Sequence, residues 1–266
     1  MPQYGWENAP DTIRRQVENF RDGLIHILGD NLTGLYLHGS LAMGCFNPAR
    51  SDIDLLVVTR EGLGERVWDI AELLLTASGN PRPIEISFVR EAYLHPWQYP
   101  PPFDFHFSED WRENISAELQ ADEWELWAAD PPPTDPDLAA HISVTRARGI
   151  CLAGKAVAEV FPDVPRADYL DAILADFEFA RDRLADNPVY AVLNCCRIYG
   201  YVLAGRMDSK DEAGVWALDR LPQYRPLIQA ALDTYRGEKS GVEFDRAMMQ
   251  HFADDLWARI VSAKDA

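Results

Sequence analysis

Two aspartates separated by one residue, Asp52 and Asp54, begin an apolar run, SDIDLLV, at residues 51–57. Residues two apart on a β-strand point to the same face, so we expect the two carboxylates to project together. Two carboxylates this close repel unless a cation lies between them. Since Mg²⁺ prefers a few carboxylates together with substrate phosphate oxygens, the pair is a candidate platform for a metal-bound triphosphate. A bare D-x-D pattern is more often only a solvated strand end.

A glycine and a serine, Gly39 and Ser40, follow the preceding apolar run at residues 35–38. Glycine allows the backbone to approach a phosphate closely, and the serine hydroxyl and amide can donate hydrogen bonds to phosphate oxygens. A Gly-Ser pair alone is an ordinary turn. Placed about a dozen residues before the acidic pair, it predicts a phosphate-binding loop beside the metal.

Glu85 is the candidate third carboxylate, because it stands in the alternating apolar segment at residues 84–89, where an unpaired charge would be costly. We predict that it completes the metal site of Asp52 and Asp54. The structural alternative is an ion pair between Glu85 and Arg82 or Arg90.

The elements that would position these residues form an α/β pattern. Helices are predicted at residues 12–28, 41–46 and 63–77, and strands at 35–38, 53–58 and 84–89. The segments 97–107 and 131–136 are rich in proline and predict irregular or extended chain. Further helices are predicted at 138–152, 169–184, 190–203, 212–221, 224–236 and 241–261. We therefore expect an α/β N-terminal domain with a mixed β-sheet over residues 1–160 and an all-α helical bundle domain over 161–266.

The formal net charge of −18 creates a negative potential that repels phosphate backbones and attracts cations. We expect a cationic small molecule as the partner and no nucleic acid, although acidity can also serve solubility alone. The four cysteines lack CxxC spacing, so buried free thiols in a reducing cytoplasm are predicted. The sequence shows neither a secretory signal nor a membrane-spanning apolar run, and we expect a cytoplasmic monomer.

The motif GSxxxG followed by SDIDLLV resembles the nucleotidyltransferase superfamily of the DNA polymerase beta type. Five further segments resemble the aminoglycoside (3'')(9) adenylyltransferases, which inactivate streptomycin and spectinomycin. They are PWQYP at 96–100, FSE at 107–109, WRENI at 111–115, CRIY at 196–199 and WALDRLP at 216–222. The resemblance spans nearly the whole chain.

The resemblance implies Mg²⁺-dependent transfer of AMP from ATP to a hydroxyl of an aminoglycoside-type antibiotic, with release of pyrophosphate. It assigns two Mg²⁺ ions to Asp52 and Asp54, the role of catalytic base to Glu85, and triphosphate contacts to Gly39, Ser40 and Ser51. By itself Glu85 could equally be only a metal ligand.

Two cations of the helical domain, Arg197 and Lys210, match residues that bind the nucleotide phosphates in that family. Without the resemblance, Arg197 could be a phosphate ligand or part of a structural ion pair inside an apolar helix. Lys210, in a polar loop before Trp216, would be interpreted as a solvated turn lysine.

Acidic side chains are the candidates for binding the cationic groups of the antibiotic, with Trp111 as an aromatic wall. They are Asp104, Glu109, Asp110, Glu113, Asp182 and Asp186. The family's streptomycin-binding tryptophan follows the F-x-E motif directly, a place that Asp110 occupies here, and an aspartate needed for streptomycin falls at Asn187. These departures favour spectinomycin or another acceptor over streptomycin.

Two other functions agree with the same motifs. One is a nucleotidyltransferase whose acceptor is a protein or a metabolite. The other is a catalytically silent nucleotide-binding relative, against which the presence of all three carboxylates argues.

Overall fold

The computed structural model describes residues 3–121 and 131–264. They form two compact units, Tyr4–Asp168 and residues 169–264 together with Gln3. The domain boundary between residues 160 and 161 stays a prediction. No helix of the described residues is long and apolar enough to cross a membrane.

A five-stranded mixed sheet with the order β4-β3-β2-β1-β5 forms the centre of the first unit. Strands β2 and β3 are parallel, and the other neighbouring strands are antiparallel. The strands are β1 Leu32–Leu37, β2 Ile53–Thr59, β3 Ile84–Arg90, β4 Phe105–Phe107 and β5 Ile150–Gly154. The predicted α/β domain with a mixed sheet is thus confirmed.

Seven helices accompany this sheet within the described residues. They are α1 Asp11–Leu28, α2 Gly39–Ala42, α3 Arg66–Ala77, α4 Glu91–Leu94, α5 Arg112–Ala121, α6 Leu138–Arg148 and α7 Val157–Val160. Helix α2 begins at Gly39 and not at Leu41, so the Gly-Ser pair lies inside its first turn.

The prediction of one helix over residues 138–152 was wrong at its C-terminal end. Helix α6 ends at Arg148, and Gly149 leads into strand β5, which pairs with β1. Strand β4, inside the proline-rich segment, was also missed. Both segments are short, and long-range pairing decides their conformation more than local periodicity does.

The two faces of the sheet have different coverings. One face packs against α1 and α3 in a large apolar cluster that includes Leu37, Leu55 and Ile86. On the other face a smaller cluster joins strand residues to Leu138 and Ile142 of helix α6. The strand residues of this second cluster are Tyr36, Leu56, Val58 and Val89. Since side chains alternate along a strand, Asp54 and Glu85 share this second face.

Helices make up the second unit, as predicted. They are α8 Arg166–Asp182, which begins in the first unit, α9 Pro188–Ala204, α10 Lys210–Arg220, α11 Arg225–Tyr235 and α12 Arg246–Lys264. Lys210 is the first residue of α10 and not part of a loop, because Ser209 caps this helix and forms a capping box with Glu212.

All four cysteines are free. Cys45, Cys195 and Cys196 are buried as predicted, whereas Cys151, on the edge strand β5, is only partly buried.

Candidate active site

Asp54 and Glu85 are directly paired in the parallel register of β2 and β3. Neighbouring strands lie about 4.8 Å apart, so two carboxylates on the same face of adjacent strands repel unless a cation neutralises them. Both residues are only partly buried, so neither is closed off from solvent.

Gly39 supplies the space that Asp54 occupies. Its φ is +61°, and a Cβ at this position would lie 1.7 Å from Asp54 Oδ2. No side chain other than glycine fits there without displacing the carboxylate. The backbone N–H of His38 donates to the Asp54 carbonyl at 3.0 Å, which fixes the end of β1 against β2. The Gly-Ser motif therefore positions the carboxylate as well as exposing backbone.

Ser51 lies in a tight turn that precedes β2. Its Oγ accepts a hydrogen bond from Asn47 N at 3.0 Å, and its own N–H donates to Asn47 O at 2.9 Å. Because the hydroxyl accepts in this contact, its O–H can still donate to a phosphate oxygen.

Arg82 holds the same turn from the start of β3. Its Nε donates to Ser51 O at 2.8 Å, and its Nη2 lies 3.5 Å from Asp52 Oδ1. Asp52 is exposed and precedes the first residue of β2, so it is not part of the strand as the D-x-D argument assumed. Sequence reasoning did not assign this role to Arg82.

The alternative ion pairs of Glu85 are not formed. Arg82 pairs with Asp52, and Arg90 pairs with Asp104 at 2.7 Å. Neither Arg82 nor Arg90 therefore accounts for the presence of Glu85 in this strand.

Three histidines surround the carboxylate pair, and none was predicted. His38 follows β1, His106 lies on β4 opposite Ser87, and His141 projects from α6. Ser87 Oγ and His106 Nδ1 are 2.9 Å apart, and the rings of His38 and His141 have centroids 5.0 Å apart. The strand order places His38 and His106, and the packing of α6 on the sheet adds His141, so no local sequence pattern predicts this cluster.

The histidines differ in charge. Burial lowers the pKa of His38 to about 3, and the neighbouring His141 acts in the same direction. Burial alone would lower the pKa of His141, but nearby carboxylates, chiefly Asp137 at 3.2 Å from Nε2, together outweigh burial and raise the pKa to about 10. Glu85 and Asp54 add to this increase. Burial lowers the pKa of His106. His141 is therefore a cation on the face that carries the two carboxylates.

The residues present fit Mg²⁺ held together with a phosphate ligand. In residues 3–121 and 131–264, no three His, Cys, Asp or Glu side chains converge closely enough to hold a metal by themselves. Mg²⁺ is commonly bound by one or two carboxylates plus substrate phosphate oxygens. The paired Asp54 and Glu85, with Gly39 leaving room for the carboxylate, match that mode.

In the helical unit, the Asp176 carboxylate accepts hydrogen bonds from Arg197 and Tyr190. Arg197 Nη2 donates to Asp176 Oδ2 at 3.1 Å, and Tyr190 Oη donates to Asp176 Oδ1 at 2.8 Å. Lys210 Nζ lies 4.5 Å from the centroid of the Tyr190 ring. Arg197 thus forms an ion pair with Asp176, and this ion pair is compatible with either interpretation of Arg197, as a phosphate ligand or as part of a structural ion pair.

The acidic residues considered for antibiotic binding fall into two groups. Asp104 is buried and bound by Arg90 and Tyr93, and Glu109 is bound by Ser78 and Arg112. These contacts give both carboxylates partners within the fold, and their assignment as ligands stays a prediction. The others are exposed, as is Trp111: Asp110, Glu113, Asp182 and Asp186.

Asn187 has a structural role that its sequence position did not predict. It is the N-cap of α9, and its side chain accepts a hydrogen bond from Tyr190 N at 3.3 Å.

Two family models match the chain. The one described as nucleotidyltransferase domain matches residues 17–118, and the one described as aminoglycoside adenylyltransferase, C-terminal domain, matches residues 159–259.

Several curated proteins are similar over most of their length. A spectinomycin 9-adenylyltransferase from Staphylococcus aureus is 30% identical over 80% of this chain and 81% of that protein. An aminoglycoside (3'') (9) adenylyltransferase from Klebsiella pneumoniae is 30% identical over 85% of this chain and 86% of that protein. One of the same name from Escherichia coli is 31% identical over 80% and 81%, respectively.

A solved structure has the same fold. It is the crystal structure of spectinomycin adenyltransferase AAD(9) from Enterococcus faecialis with ATP and spectinomycin, with a TM-score of 0.76. The match covers 93% of this chain and 99% of that one at 23% identity. Together with the curated relatives and the two matching models, this places the chain in the aminoglycoside adenylyltransferase family of nucleotidyltransferases, as the motif resemblance predicted.

Proposed function

We propose that this protein transfers AMP from ATP to a hydroxyl of an aminoglycoside-type antibiotic, of the spectinomycin and streptomycin class, and so confers resistance. The carrying observation is the register pair of Asp54 and Glu85 beside Gly39, in a chain of this family. The names of the relatives, spectinomycin 9-adenylyltransferase and aminoglycoside (3'') (9) adenylyltransferase, indicate the acceptor class.

Asp52, Asp54 and Glu85 would hold two Mg²⁺ ions. When bound, these ions activate the attacking oxygen and neutralise charge on the triphosphate.

Glu85 takes the proton of the acceptor hydroxyl as this oxygen attacks the α-phosphorus and pyrophosphate departs. The two possible roles of Glu85, general base and metal ligand, predict different kinetics for Glu85→Gln. Loss of the base lowers kcat and leaves the affinity for MgATP near that of the wild type, whereas loss of a ligand weakens MgATP binding.

The phosphates are bound by neutral donors and by cations. Ser40, Ser51 and the Gly39 backbone donate to phosphate oxygens, and Arg197 and Lys210 compensate their charge. This assignment gives the two cations of the helical unit a common ligand.

The acceptor is a cation, in agreement with a net charge of −18. Asp110 and Asp182 bind its ammonium groups, Trp111 provides an aromatic face, and Asn187 contributes an amide. Because Asp110 and Asn187 stand where the family has the streptomycin-binding tryptophan and aspartate, spectinomycin is the preferred acceptor. The four free thiols agree with a reaction in the cytoplasm.

Pyrophosphate release from MgATP with spectinomycin, with streptomycin and without drug tests the proposal. The expected result is drug-dependent release, larger with spectinomycin, that is lost in Glu85→Gln. Release with streptomycin alone would contradict the roles of Asp110 and Asn187. No release with any aminoglycoside-type drug would reject the proposed acceptor class.

A further inference from the structure

Asp176 accepts three hydrogen bonds from one face of helix α9. Its Oδ1 accepts from Tyr190 Oη at 2.8 Å, and its Oδ2 accepts from Asn194 Nδ2 at 2.8 Å and from Arg197 Nη2 at 3.1 Å. The donors are four and then three residues apart, which places them on a single helix face. Asp176 lies on α8, so this carboxylate fixes both the distance between the two helices and the three side chains.

The exposure of these side chains increases from Asn194 through Asp176 to Arg197. Asn194 is fully buried, the Asp176 side chain is 19% exposed and the Arg197 side chain is 34% exposed. The chain of contacts therefore runs from the interior of the helical unit to a partly exposed guanidinium. The Arg197 guanidinium is a planar group with five N–H donors, and Asp176 accepts a hydrogen bond from one of its nitrogens. This contact restricts the orientation of the guanidinium.

We propose that Asp176 is a positioning residue that holds the Arg197 guanidinium in the orientation in which it receives the nucleotide phosphates. This inference rests on the proposed function, which assigns Arg197 to the phosphates. A free arginine loses much side-chain entropy when it binds a ligand, and a side chain that is already ordered avoids that loss. The same carboxylate orients Tyr190, whose ring lies beside Lys210 Nζ.

If the ion pair of Asp176 and Arg197 were purely structural, removal of Asp176 would have the opposite effect on the affinity for a nucleotide. Asp176 carries a negative charge next to a proposed anion-binding residue, so its removal alone would strengthen or not change the binding of a nucleotide. Only if Asp176 orders Arg197 does its removal weaken nucleotide binding.

The test is a double-mutant cycle in nucleotide affinity. The probe is α,β-methylene-ATP with Mg²⁺, measured by isothermal titration calorimetry without any acceptor. The proteins are the wild type, Asp176→Asn, Arg197→Ala and the double variant. Glu178→Gln is the matched control, because it removes one negative charge from an exposed position of the same helix.

We expect Asp176→Asn to weaken binding of the analogue about tenfold, within the range of coupling measured for side chains in one hydrogen-bond network. Most of the weakening should vanish in the Arg197→Ala background, and Glu178→Gln should change the affinity less than twofold. In the transfer reaction, Asp176→Asn should raise the KM for MgATP and leave the KM for the antibiotic unchanged. A structural role would instead lower the unfolding temperature without this KM split.

Three results would overturn the inference: unchanged or tighter binding in Asp176→Asn, equal weakening in both backgrounds, or unchanged binding in Arg197→Ala. Failure of the proposed function is a separate result. A wild type that binds the analogue but releases no pyrophosphate with any antibiotic would reject the acceptor, and the cycle would still decide the role of Asp176.

Discussion

Asp54 and Glu85 face each other across the parallel strands β2 and β3, with no residue offset between them. Two carboxylates on neighbouring strands repel each other, and a divalent cation between them would remove this repulsion. The site therefore links metal binding to the free energy of unfolding.

Glu85→Gln should separate the contributions of Glu85 to charge repulsion, to metal binding and to catalysis. Without Mg²⁺ the variant should unfold at a temperature close to that of the wild type, because it loses both the repulsion by Asp54 and the attraction to the charged His141. MgATP should raise the unfolding temperature of the wild type more than that of the variant if Glu85 binds metal. Loss of a general base should lower the transfer rate roughly 10²-fold to 10⁴-fold. Calorimetry with EDTA or MgATP and a pyrophosphate assay measure both.

The matched control for this prediction is Glu72→Gln, an exposed carboxylate on α3. It should change neither the metal-dependent shift nor the rate. A transfer rate of Glu85→Gln equal to that of the wild type would remove Glu85 from the site.

Gly39→Ala should disturb the position of the Asp54 carboxylate and strain the backbone at residue 39. The added Cβ would lie 1.7 Å from Asp54 Oδ2, and φ is +61°, so the variant combines backbone strain with displacement of the carboxylate. We expect it to lose metal-dependent transfer and to lose more than the roughly 1–2 kcal/mol of stability that a positive φ alone costs a non-glycine residue.

Gly64→Ala is the control for Gly39→Ala, because its φ is +56° and an added Cβ would meet nothing within 4 Å. It should lose a similar amount of stability from strain and keep transfer activity. Equal activity of the two variants would show that the contact between Gly39 and Asp54 does not matter.

The sequence predicted those parts of the site that lie within one short segment. Asp52 and Asp54 stand in a recognisable motif, and the alternation at residues 84–89 identified Glu85 as a charge on a buried strand. Their adjacency follows once β2 and β3 are parallel neighbours. A sequence pattern does not determine which residues of two strands are paired, because that depends on the connection between them.

The histidines and the ion pairs required the tertiary structure. His141 lies near enough to Asp54 and Glu85 for their charges to raise its pKa, and it does so because Leu138 and Ile142 of the same helix pack against the sheet. Asp104 and Asp110 look alike in sequence, yet Asp104 is bound by Arg90 and Asp110 is exposed. An unaligned sequence contains no signal that separates such cases.

Arg82→Ala should weaken binding of MgATP. The guanidinium donates to the Ser51 carbonyl at 2.8 Å and to the Ala49 carbonyl at 3.4 Å, so its loss should loosen the turn that presents Ser51 and Asp52. We expect the KM for MgATP to rise several-fold with a smaller change in kcat, measured by steady-state pyrophosphate release. Arg50→Ala, at an exposed position of the same turn, should have little effect. A lower KM in Arg82→Ala would mean instead that Arg82 competes with the metal for Asp52.

The buried His38 should make the protein less stable in acid. Its pKa is about 6.5 in an unfolded chain, and burial lowers it to about 3 in the fold. Between these values only the unfolded chain binds the proton, so stability is lost as the pH falls through this range. His38→Gln removes this contribution. The free energy of unfolding of the wild type should therefore fall relative to the variant by about 1.3 kcal/mol between pH 7.5 and 5.5.

His141 acts in the other direction, and the comparison with His38→Gln cancels it. Its pKa is raised to about 10, so the stability that it contributes is fully present below pH 6.5 and is lost as the pH rises toward 10. Both proteins keep His141 and Asp137, and the difference between their unfolding free energies reports His38. Urea unfolding at several pH values measures this difference. Parallel pH profiles of the two proteins would show that His38 takes up a proton in the folded state as readily as in the unfolded chain.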